Sequence, residues 1–362
     1  MKGTVAVAMS GGVDSSVAAA ILAEGGDRLV GFSMKLVDQL AGEEERYGKC
    51  CSPDDFRDAR LVAGRFGFPH YTLDMEDEFR RFVLDPFLDD YAAGKTPSPC
   101  IRCNTFMKFG SLLGRARAVG ADRVATGHYA ILEPDPVSGR TLLRKAVDET
   151  KDQSYFLFDL SEEQRRHILF PLGRMTKKEV RQRAEEFGLA VASKTESMDL
   201  CFVAEGDDYR SLLARERGPE AVKPGEMVDR EGNVLASHDG IGRFTVGQRK
   251  GLGVQGADKL YVIGIDPGTD RVTIGTGDDL LSGSCVIDRV RWIPFEKPSG
   301  PVQGTVRIRS THEGAPATIT DHGDGSATIR FDEPQRAITP GQAAVAYDGD
   351  LVLGGGWVRN SS

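Results

Sequence analysis

The sequence Ser10-Gly11-Gly12-Val13-Asp14-Ser15-Ser16 follows an apolar run, residues 4–9, and precedes a stretch of helical pattern, residues 17–24. This order predicts a strand, a tight glycine turn and the first turn of a helix. The backbone N–H groups of such a turn, at the positive end of a helix dipole, form an anion site, so we expect it to bind a phosphate. The loop lacks the Gly-Lys-Ser/Thr ending of a Walker A motif, and its spacing does not fit G-x-G-x-x-G.

Length and composition indicate a globular protein of two or three domains. The chain has 362 residues, of which 40% are hydrophobic and 28% charged. Its net charge of −8 does not indicate a general nucleic-acid binder, so any RNA contacts must come from local basic patches. We find no apolar stretch of the roughly 20 residues that a membrane span needs, and no secretory or transit pattern at the start. We expect a cytoplasmic protein without a membrane partner.

Strand and helix signals alternate in the first half of the chain. This alternation predicts an α/β fold in which helices cover both faces of a parallel sheet. A capping box, Thr176-Lys177-Lys178-Glu179, predicts a further helix that extends to Phe187. The strands are expected at residues 5–9, 29–34, 70–73 and 124–126, and the helices at 15–24, 54–66, 76–91 and 105–119.

The pattern changes after Cys201. A helix is expected at residues 208–217, and the short alternating runs beyond it are separated by turn sequences such as Asp266-Pro267-Gly268. Such runs are typical of small β domains or barrels. Ser282-Gly283-Ser284 is a plausible boundary between two of them. We therefore expect a first domain at residues 1–205, a small central β-rich domain at 206–281 and a C-terminal β-barrel at 282–362.

A C-x-x-C motif lies in Thr96-Pro97-Ser98-Pro99-Cys100-Ile101-Arg102-Cys103-Asn104, just ahead of the helix expected from about Thr105. Thiols at a helix N-terminus have lowered pKa values because the dipole favours the thiolate. A thiolate is the form that attacks, binds a metal or carries sulfane sulfur. Half of a structural zinc site, or two ordinary buried cysteines, is the alternative for this segment.

The other four cysteines differ in their surroundings. Cys201, in Glu196-Ser197-Met198-Asp199-Leu200-Cys201-Phe202, stands beside acidic and hydroxyl groups where the fold changes. Cys50 and Cys51 are expected at a loop-to-helix junction near the nucleotide, with a third reactive pair as the alternative. Cys285 lies in a strand pattern and is expected to be inert core.

Polar residues also stand out in apolar surroundings. Gly127 and His128 follow a strand, where ligands collect in open α/β sheets. Lys151-Asp152-Gln153-Ser154-Tyr155-Phe156 combines groups that bind phosphates with rings that stack on bases. The candidate basic patches for RNA are Arg243 with Arg249 and Lys250, Arg307 with Arg309, and Lys177 with Lys178.

Taken together, these segments resemble the bacterial and organellar tRNA-specific 2-thiouridylases, the MnmA family, within the ATP-pyrophosphatase (PP-loop) superfamily. The matching motifs occur in order over nearly the whole chain, and it is their ordered set that is specific. They are SGGVDSS, Met34-Lys35, TPSPC-x-x-CN, ATGHYA, KDQSYFL, SMDLCF, FTVGQRKGLG and Thr339-Pro340-Gly341-Gln342.

The resemblance implies a Rossmann-like ATP-pyrophosphatase domain, a small central domain and a C-terminal β-barrel that helps to hold RNA. It implies that the enzyme uses ATP with Mg²⁺ to adenylate the C2 oxygen of the wobble uridine in tRNAs for lysine, glutamate and glutamine. Sulfur from a cysteine desulfurase or a relay protein then displaces AMP and gives 2-thiouridine. Adenylation makes the oxygen a good leaving group, and a thiolate supplies the nucleophile.

The family's functional residues transfer to matching positions of this chain. Cys103 matches the nucleophile and Cys201 the cysteine that carries the persulfide. The ATP site maps to Ala8, Met9, Ser10, Gly11, Gly12, Val13, Asp14, Ser15, Met34 and Gly127. The tRNA contacts map to Ser98, Pro99, Cys100, His128, Lys151, Asp152, Gln153, Arg309, Ser310 and Gln342.

One departure from the family opens a second mechanism for sulfur transfer. Many members have Asp where this chain has Cys100, so three thiols are able to converge here: Cys100, Cys103 and Cys201. Three thiolates suit a [4Fe–4S] cluster with one open iron that holds hydrosulfide. The two hypotheses are therefore a persulfide on Cys201 resolved by Cys103, and a cluster on all three cysteines.

Two further functions compete with thiolation. A structural-zinc RNA-binding module would bind RNA without consuming ATP. Another ligase of the superfamily, such as a lysidine or argininosuccinate synthetase, would adenylate without sulfur chemistry and would not require the paired cysteine segments.

Overall fold

The computed structural model describes residues 3–37, 52–194, 200–202, 209–218, 222–254 and 259–361. The predicted strand–turn–helix unit is confirmed, because β1 ends at Ala8 and α1 begins at Val13. The strands in the described residues are β1 (Thr4–Ala8), β2 (Arg28–Lys35), β3 (His70–Asp74), β4 (Ala121–Ala125), β5 (Ile131–Pro134), β6 (Thr141–Arg144), β7 (Ile168–Leu169), β8 (Gly225–Val228), β9 (Val234–His238), β10 (Tyr261–Asp266), β11 (Arg271–Gly275), β12 (Leu281–Trp292), β13 (Val302–Arg307), β14 (Ala315–Asp321), β15 (Ala327–Arg336), β16 (Ala343–Asp348) and β17 (Leu351–Ser361).

The helices pack between and over these strands. Two π-helical segments, Arg80–Leu84 and Cys103–Ser111, continue directly from α-helices. No helix of the described residues is long and apolar enough to cross a membrane. The α-helices are α1 (Val13–Glu24), α2 (Pro53–Phe66), α3 (Glu76–Phe79), α4 (Asp85–Ala92), α5 (Pro99–Arg102), α6 (Leu112–Ala118), α7 (Glu162–Arg166), α8 (Lys177–Glu186) and α9 (Tyr209–Arg217).

The first sheet is parallel and has the order β3-β2-β1-β4-β7 within the described residues. Its strands β1 and β2 are buried on both faces, since one hydrophobic cluster includes Ala6 and Phe32 and a second includes Val5 and Leu29. The edge strand β3 is half-buried to exposed. Helices therefore cover both sides, as the alternating sequence predicts. The carboxyl end of β1 carries the glycine turn, at the edge of the sheet where ligands bind in this fold class.

The helix expected at residues 76–91 consists of α3, a π-helical turn and α4. Pro86 has no N–H to donate to the carbonyl of Phe82, four residues earlier. That carbonyl accepts a hydrogen bond from Nε of Arg102 at 2.7 Å instead. The proline thus frees a backbone group that ties this helix to the segment carrying the C-x-x-C motif.

The second half is β-rich, as predicted. Strands β8 to β11 form a small sheet in the order β10-β11-β8-β9. Strands β12 to β17 form a six-stranded barrel, which closes because β12 pairs with both β15 and β17. Ser282-Gly283-Ser284, expected at a domain boundary, lies in the extended chain at the start of β12.

The β5–β6 hairpin belongs to the first half in sequence but extends the barrel sheet. Leu351 of β17 pairs with Arg144 of β6. Arg144 also forms a 2.9 Å ion pair with Asp350. The first half and the barrel therefore share a continuous sheet, which fixes the position of the barrel relative to the glycine turn.

Candidate functional site

The glycine turn is an open cradle of backbone and hydroxyl groups. Gly12 caps α1 in an extended conformation, without a side-chain cap of its own. The Ser15 hydroxyl accepts a hydrogen bond from the Ser10 backbone N–H at 3.2 Å. Gly11 has φ of 73°, and a Cβ there would lie 2.3 Å from the Asp55 carbonyl oxygen. The turn therefore requires glycine at position 11, and its N–H groups at the helix start suit a phosphate.

Asp14, in the first turn of α1, joins three parts of the chain. Its carboxylate accepts a hydrogen bond from the Tyr129 hydroxyl at 2.8 Å. The same carboxylate binds Nζ of Lys177 at 2.7 and 2.9 Å. Lys177 is only 12% exposed, and its ammonium lies 5.8 Å from the centre of the Tyr129 ring. A carboxylate and an ammonium therefore lie together beside the glycine turn.

Gly127 lies directly against the turn. A Cβ at this position would be 2.7 Å from both the Asp14 carbonyl carbon and the Ser15 backbone nitrogen. No larger residue fits without moving the loop. The structure thus brings the Gly127 motif next to the glycine turn. Met34, near the end of β2, packs against the hydrophobic cluster that includes Ala6 and Phe32.

Lys194 fixes the other side of the turn. Its Nζ donates to the Gly11 carbonyl at 3.1 Å and forms ion pairs with Asp55 and Asp58, each at 2.7 Å. Partial burial lowers the pKa of Lys194, but the hydrogen bonds to both carboxylates outweigh burial and raise that pKa above its ordinary value. The charged side chain of Lys194 therefore connects the glycine turn to α2.

The C-x-x-C motif lies within a helix, and the expected start near Thr105 is wrong. Helix α5 begins at Pro99, because proline at the first helical position loses no hydrogen bond there. Cys100 is exposed in the first turn, and Cys103 is half-buried one turn further on, where the π-helical segment begins. The helix dipole acts more strongly on Cys100 than on Cys103.

Cys103 and Cys201, far apart in sequence, pack against the same hydrophobic cluster. Phe202, next to Cys201, is only 2% exposed. The centre of its ring lies 5.6 Å from that of Phe79 and 5.0 Å from that of Phe87. Met107, on the π-helical segment of Cys103, belongs to the same cluster. The structure therefore brings the two cysteines to one region between the first sheet and α9.

The described residues include Cys100, Cys103 and Cys201, yet among them no three His, Cys, Asp or Glu side chains are placed to hold a metal ion. Cys285 is buried, as predicted, and burial raises the pKa of its thiol to about 12. Cys50 and Cys51 lie outside the described residues, as do the first three residues of the SMDLCF motif.

His128 is buried, and its ring is held from both sides. The Thr126 hydroxyl lies 2.7 Å from Nδ1, and Nζ of Lys108 lies 3.5 Å from Nε2. Burial, and then the charge of Lys108, hold the pKa of His128 well below its usual value. The imidazole is therefore neutral.

The predicted tRNA stretch at Lys151–Gln153 points partly into the protein. The Asp152 carboxylate, 3% exposed, accepts hydrogen bonds from the backbone N–H groups of Ala146 and Ser154 and pairs with Arg307 at 3.4 Å. The Gln153 side-chain oxygen accepts a hydrogen bond from the Tyr129 backbone N–H at 2.9 Å. Asp152 and Gln153 therefore hold the backbone of neighbouring loops in place. Arg307 is the ion-pair partner of the buried Asp152 carboxylate.

Gln342 joins the barrel to the segment ahead of the C-x-x-C motif. Its Nε2 donates to the carbonyl oxygens of Thr96 at 3.0 Å and Pro97 at 3.4 Å. The Thr96 backbone N–H also donates to the Pro340 carbonyl at 2.9 Å. The loop before β16 therefore holds the residues that precede Ser98, Pro99 and Cys100.

Known proteins and protein families are similar to this chain over nearly its whole length. Three family models match: "tRNA methyl transferase HUP domain" at residues 3–205, "tRNA methyl transferase PRC-barrel domain" at 213–276 and "Aminomethyltransferase beta-barrel domain" at 282–358. The tRNA-specific 2-thiouridylase MnmA of Geotalea uraniireducens is 48% identical over 99% of this chain and 95% of its own length. The MnmA protein of Solibacter usitatus is 47% identical over 98% of this chain and 99% of its own length. The chain belongs to the tRNA-specific 2-thiouridylase (MnmA) family.

Three lysines of this 2-thiouridylase family member hold the site, and sequence reasoning did not identify their roles. Lys177 was expected in an RNA patch but pairs with Asp14 beside the phosphate cradle. Lys108 lies in the π-helical segment and Lys194 directly follows a 3-10 helix, Ala190–Ser193. The one available signal was proximity: Lys108 follows Cys103 by five residues, and Lys194 precedes Cys201 by seven.

The remaining basic patches of this family member differ in exposure. Arg243, Arg249 and Lys250, in and next to the FTVGQRKGLG motif, are exposed on the central domain. Arg309 and Ser310 are half-buried at the end of β13, and the Ser310 carbonyl accepts a hydrogen bond from Arg307. Only the central patch thus presents its charges fully to solvent.

Proposed function

We propose that this chain is a tRNA-specific 2-thiouridylase that adenylates a uridine with ATP and replaces its C2 oxygen with sulfur. The observation that carries the proposal is the meeting of Cys103 and Cys201 on one cluster, in a domain whose glycine turn forms a phosphate cradle. Membership of the MnmA family supports the same conclusion.

The first step uses the glycine turn. ATP binds along residues 8–15, with Met34 beside the adenine and Gly127 against the loop. The uridine O2 attacks the α-phosphorus, the bond to the bridging oxygen breaks, pyrophosphate leaves with the electron pair, and the N3 proton is released. Asp14 is the carboxylate that would hold Mg²⁺, and the ion would supply positive charge to the phosphates.

The second step uses the cysteines. A donor protein, such as a cysteine desulfurase or a relay protein, leaves a sulfane sulfur on Cys201 as a persulfide. The terminal sulfur attacks C2 of the uridine, the C2–O bond breaks and AMP leaves with its electron pair. The Cys103 thiolate then attacks the inner sulfur of Cys201, which releases 2-thiouridine and forms a disulfide between the two cysteines. A thiol reductant returns two electrons before the next turnover.

The RNA partner is the anticodon stem-loop of tRNAs for lysine, glutamate and glutamine. Residues 98–100 contact the target base, and the nearby contacts are His128, residues 151–153, Arg309, Ser310 and Gln342. Of these, the side chains of Asp152 and Gln342 act through the loops that they hold, since both bind backbone groups. Because tRNA is the substrate, we expect the enzyme to act in the cytoplasm.

The persulfide route is favoured over the cluster route. A cluster needs three converging thiolates, and no such trio is found among the described residues. Persulfide transfer needs only Cys201 and Cys103, which share one cluster. Cys100, exposed at the helix start, then lies beside the target base without carrying sulfur.

The experiment is an assay of purified chain with ATP, Mg²⁺, unmodified tRNA and a persulfide donor, read by nucleoside mass spectrometry and AMP release. We expect wild type to form 2-thiouridine. Cys201→Ser and Cys103→Ser should form none while still consuming ATP, and Cys285→Ser is the matched control. RNA binding without ATP consumption would favour the structural-zinc module instead. AMP release without 2-thiouridine in wild type, unchanged in Cys103→Ser, would favour a sulfur-free ligase.

A further inference from the structure

Lys108 is half-buried, and its ammonium has no anionic partner among the residues that the structure describes. It lies on the π-helical segment that begins at Cys103, and its Nζ donates to the Asn104 side-chain oxygen at 3.0 Å. Its other neighbour is Nε2 of His128, at 3.5 Å. Both partners are neutral, and no carboxylate in the described part of the chain pairs with Lys108. Burying a cation without a counter-charge is costly, so the arrangement favours an incoming anion.

The two neutral partners are themselves fixed. Asn104 is 2% exposed, and its Nδ2 donates to the Phe156 carbonyl at 3.1 Å, which leaves its side-chain oxygen for Lys108. A neutral imidazole that turns Nε2 toward an ammonium carries its proton on Nδ1, where Thr126 accepts it at 2.7 Å. The ammonium is therefore held in one orientation.

The rings around His128 add to this order. Phe109 and Phe170 lie 5.8 Å and 5.6 Å from the imidazole centre. They pack against the imidazole beside Lys108. The side chains of His128 and Asn104, both neutral, thus hold the Lys108 ammonium between them.

The position of this charge indicates its ligand. On one side, His128 follows Gly127, whose backbone touches the glycine turn at Asp14 and Ser15. On the other side, Asn104 follows Cys103. Lys108 therefore lies between the phosphate cradle and the attacking cysteine. In a thiolation reaction, the group that spans these two places is the α-phosphoryl group, first in ATP and then on the uridine oxygen.

We propose that Lys108 binds the α-phosphate of ATP and of the adenylated uridine, and stabilises the charge that develops when AMP leaves. The inference rests on the proposed function. In the first step the cation neutralises the equatorial oxygens as the bond to pyrophosphate breaks. In the second it stabilises the AMP oxygen that takes the electron pair of the C2–O bond. Fixed charges of this kind act without reorganisation during the reaction.

The test is single-turnover AMP formation by Lys108→Met, with Lys108→Arg as the variant that keeps the charge. Lys145→Met is the matched control, because Lys145 is also half-buried and its ammonium faces a neutral group, the Tyr347 ring. We expect Lys108→Met to slow AMP formation about 100-fold, as the loss of one fixed donor does. Lys108→Arg should recover part of the rate, and Lys145→Met should match wild type. Persulfide loading on Cys201 should be unchanged throughout.

A second readout separates phosphate contact from a structural role. The two diastereomers of ATP with sulfur on the α-phosphate are compared with ATP. If Lys108 contacts one non-bridging oxygen, one diastereomer slows wild type strongly and Lys108→Met far less. If Lys108→Met keeps the wild-type preference between the two diastereomers, or forms AMP at the wild-type rate, the inference about Lys108 is wrong and the proposed function still stands. A wild-type enzyme that forms no 2-thiouridine overturns the proposed function, and the inference with it.

Discussion

The side-chain amide of Gln342 donates hydrogen bonds to the carbonyl oxygens of Thr96 and Pro97, 246 and 245 residues away in sequence. One residue of the C-terminal barrel thus holds the loop that leads into the first cysteine helix. The barrel therefore positions residues 98–100 as well as forming part of the RNA surface.

Gln342→Ala should weaken tRNA binding and leave ATP binding intact. The change removes the donor that holds the loop at Thr96, and it should also lower the free energy of unfolding by about 1 kcal/mol. Binding is measured by fluorescence anisotropy with an anticodon stem-loop. Gln335→Ala is the control, because its amide donates to Glu333 on its own strand. Normal tRNA affinity in Gln342→Ala would remove Gln342 from the RNA-binding apparatus.

Asp14→Ala should abolish adenylation. The change removes the carboxylate available to Mg²⁺ and leaves the Lys177 ammonium and the Tyr129 hydroxyl without their acceptor. Loss of one partner from such a group costs about 1–3 kcal/mol, so thermal unfolding should also shift downward. Pyrophosphate release is the measurement. Glu24→Ala, which changes the far end of the same helix, is the control. Normal pyrophosphate release from Asp14→Ala would mean that the nucleotide site is misplaced.

His128 should make the fold less stable as the pH falls below about 6.5. Burial holds the pKa of His128 well below that value, so the unfolded chain binds this proton first and stability is lost in that range. The slope is at most about 1.4 kcal/mol per pH unit. Unfolding free energies of wild type and His128→Gln, measured from pH 7 down to about 5, should diverge accordingly. His167→Gln is the control, and parallel curves for His128→Gln would contradict a buried neutral imidazole.

The cysteines should differ in their reaction with iodoacetamide. Cys285 is buried, and burial raises the pKa of its thiol to about 12, so it should remain unmodified in the folded protein. Cys100 is exposed, and Cys103 and Cys201 are half-buried, so all three should react. Peptide mass spectrometry measures each site, and unfolded protein provides the fully modified reference. Labelling of Cys285 as fast as Cys201 would show that the β-barrel core is open.

The features that could be predicted from sequence are those encoded locally. Residues 4–24 contain their own strand, turn and helix signals, and the structure has all three. The capping box at Thr176 likewise begins α8. The two cysteine segments were recognisable because thiols beside proline, acidic or aromatic residues are chemically distinctive.

What could not be predicted depends on contacts between distant segments. Nothing near Arg144 in sequence shows that β6 pairs with β17. The start of α5 at Pro99 was missed because proline occurs in loops as well as at helix starts. The residues ahead of it, Thr96-Pro97-Ser98, resemble a loop in sequence. Apart from the closeness of Lys108 and Lys194 to the cysteines in sequence, the three lysines have no local signal either, because their partners Asp14, Asp55 and His128 lie on other elements.

The most direct test of the account is a single turnover by protein that is purified anaerobically, shown to contain no iron and loaded with one persulfide on Cys201. We expect one AMP and one 2-thiouridine for each persulfide consumed, with a disulfide between Cys103 and Cys201 at the end. Thiolation that requires about four iron atoms per chain, and that fails with persulfide alone, would contradict the persulfide mechanism and restore the cluster on Cys100, Cys103 and Cys201.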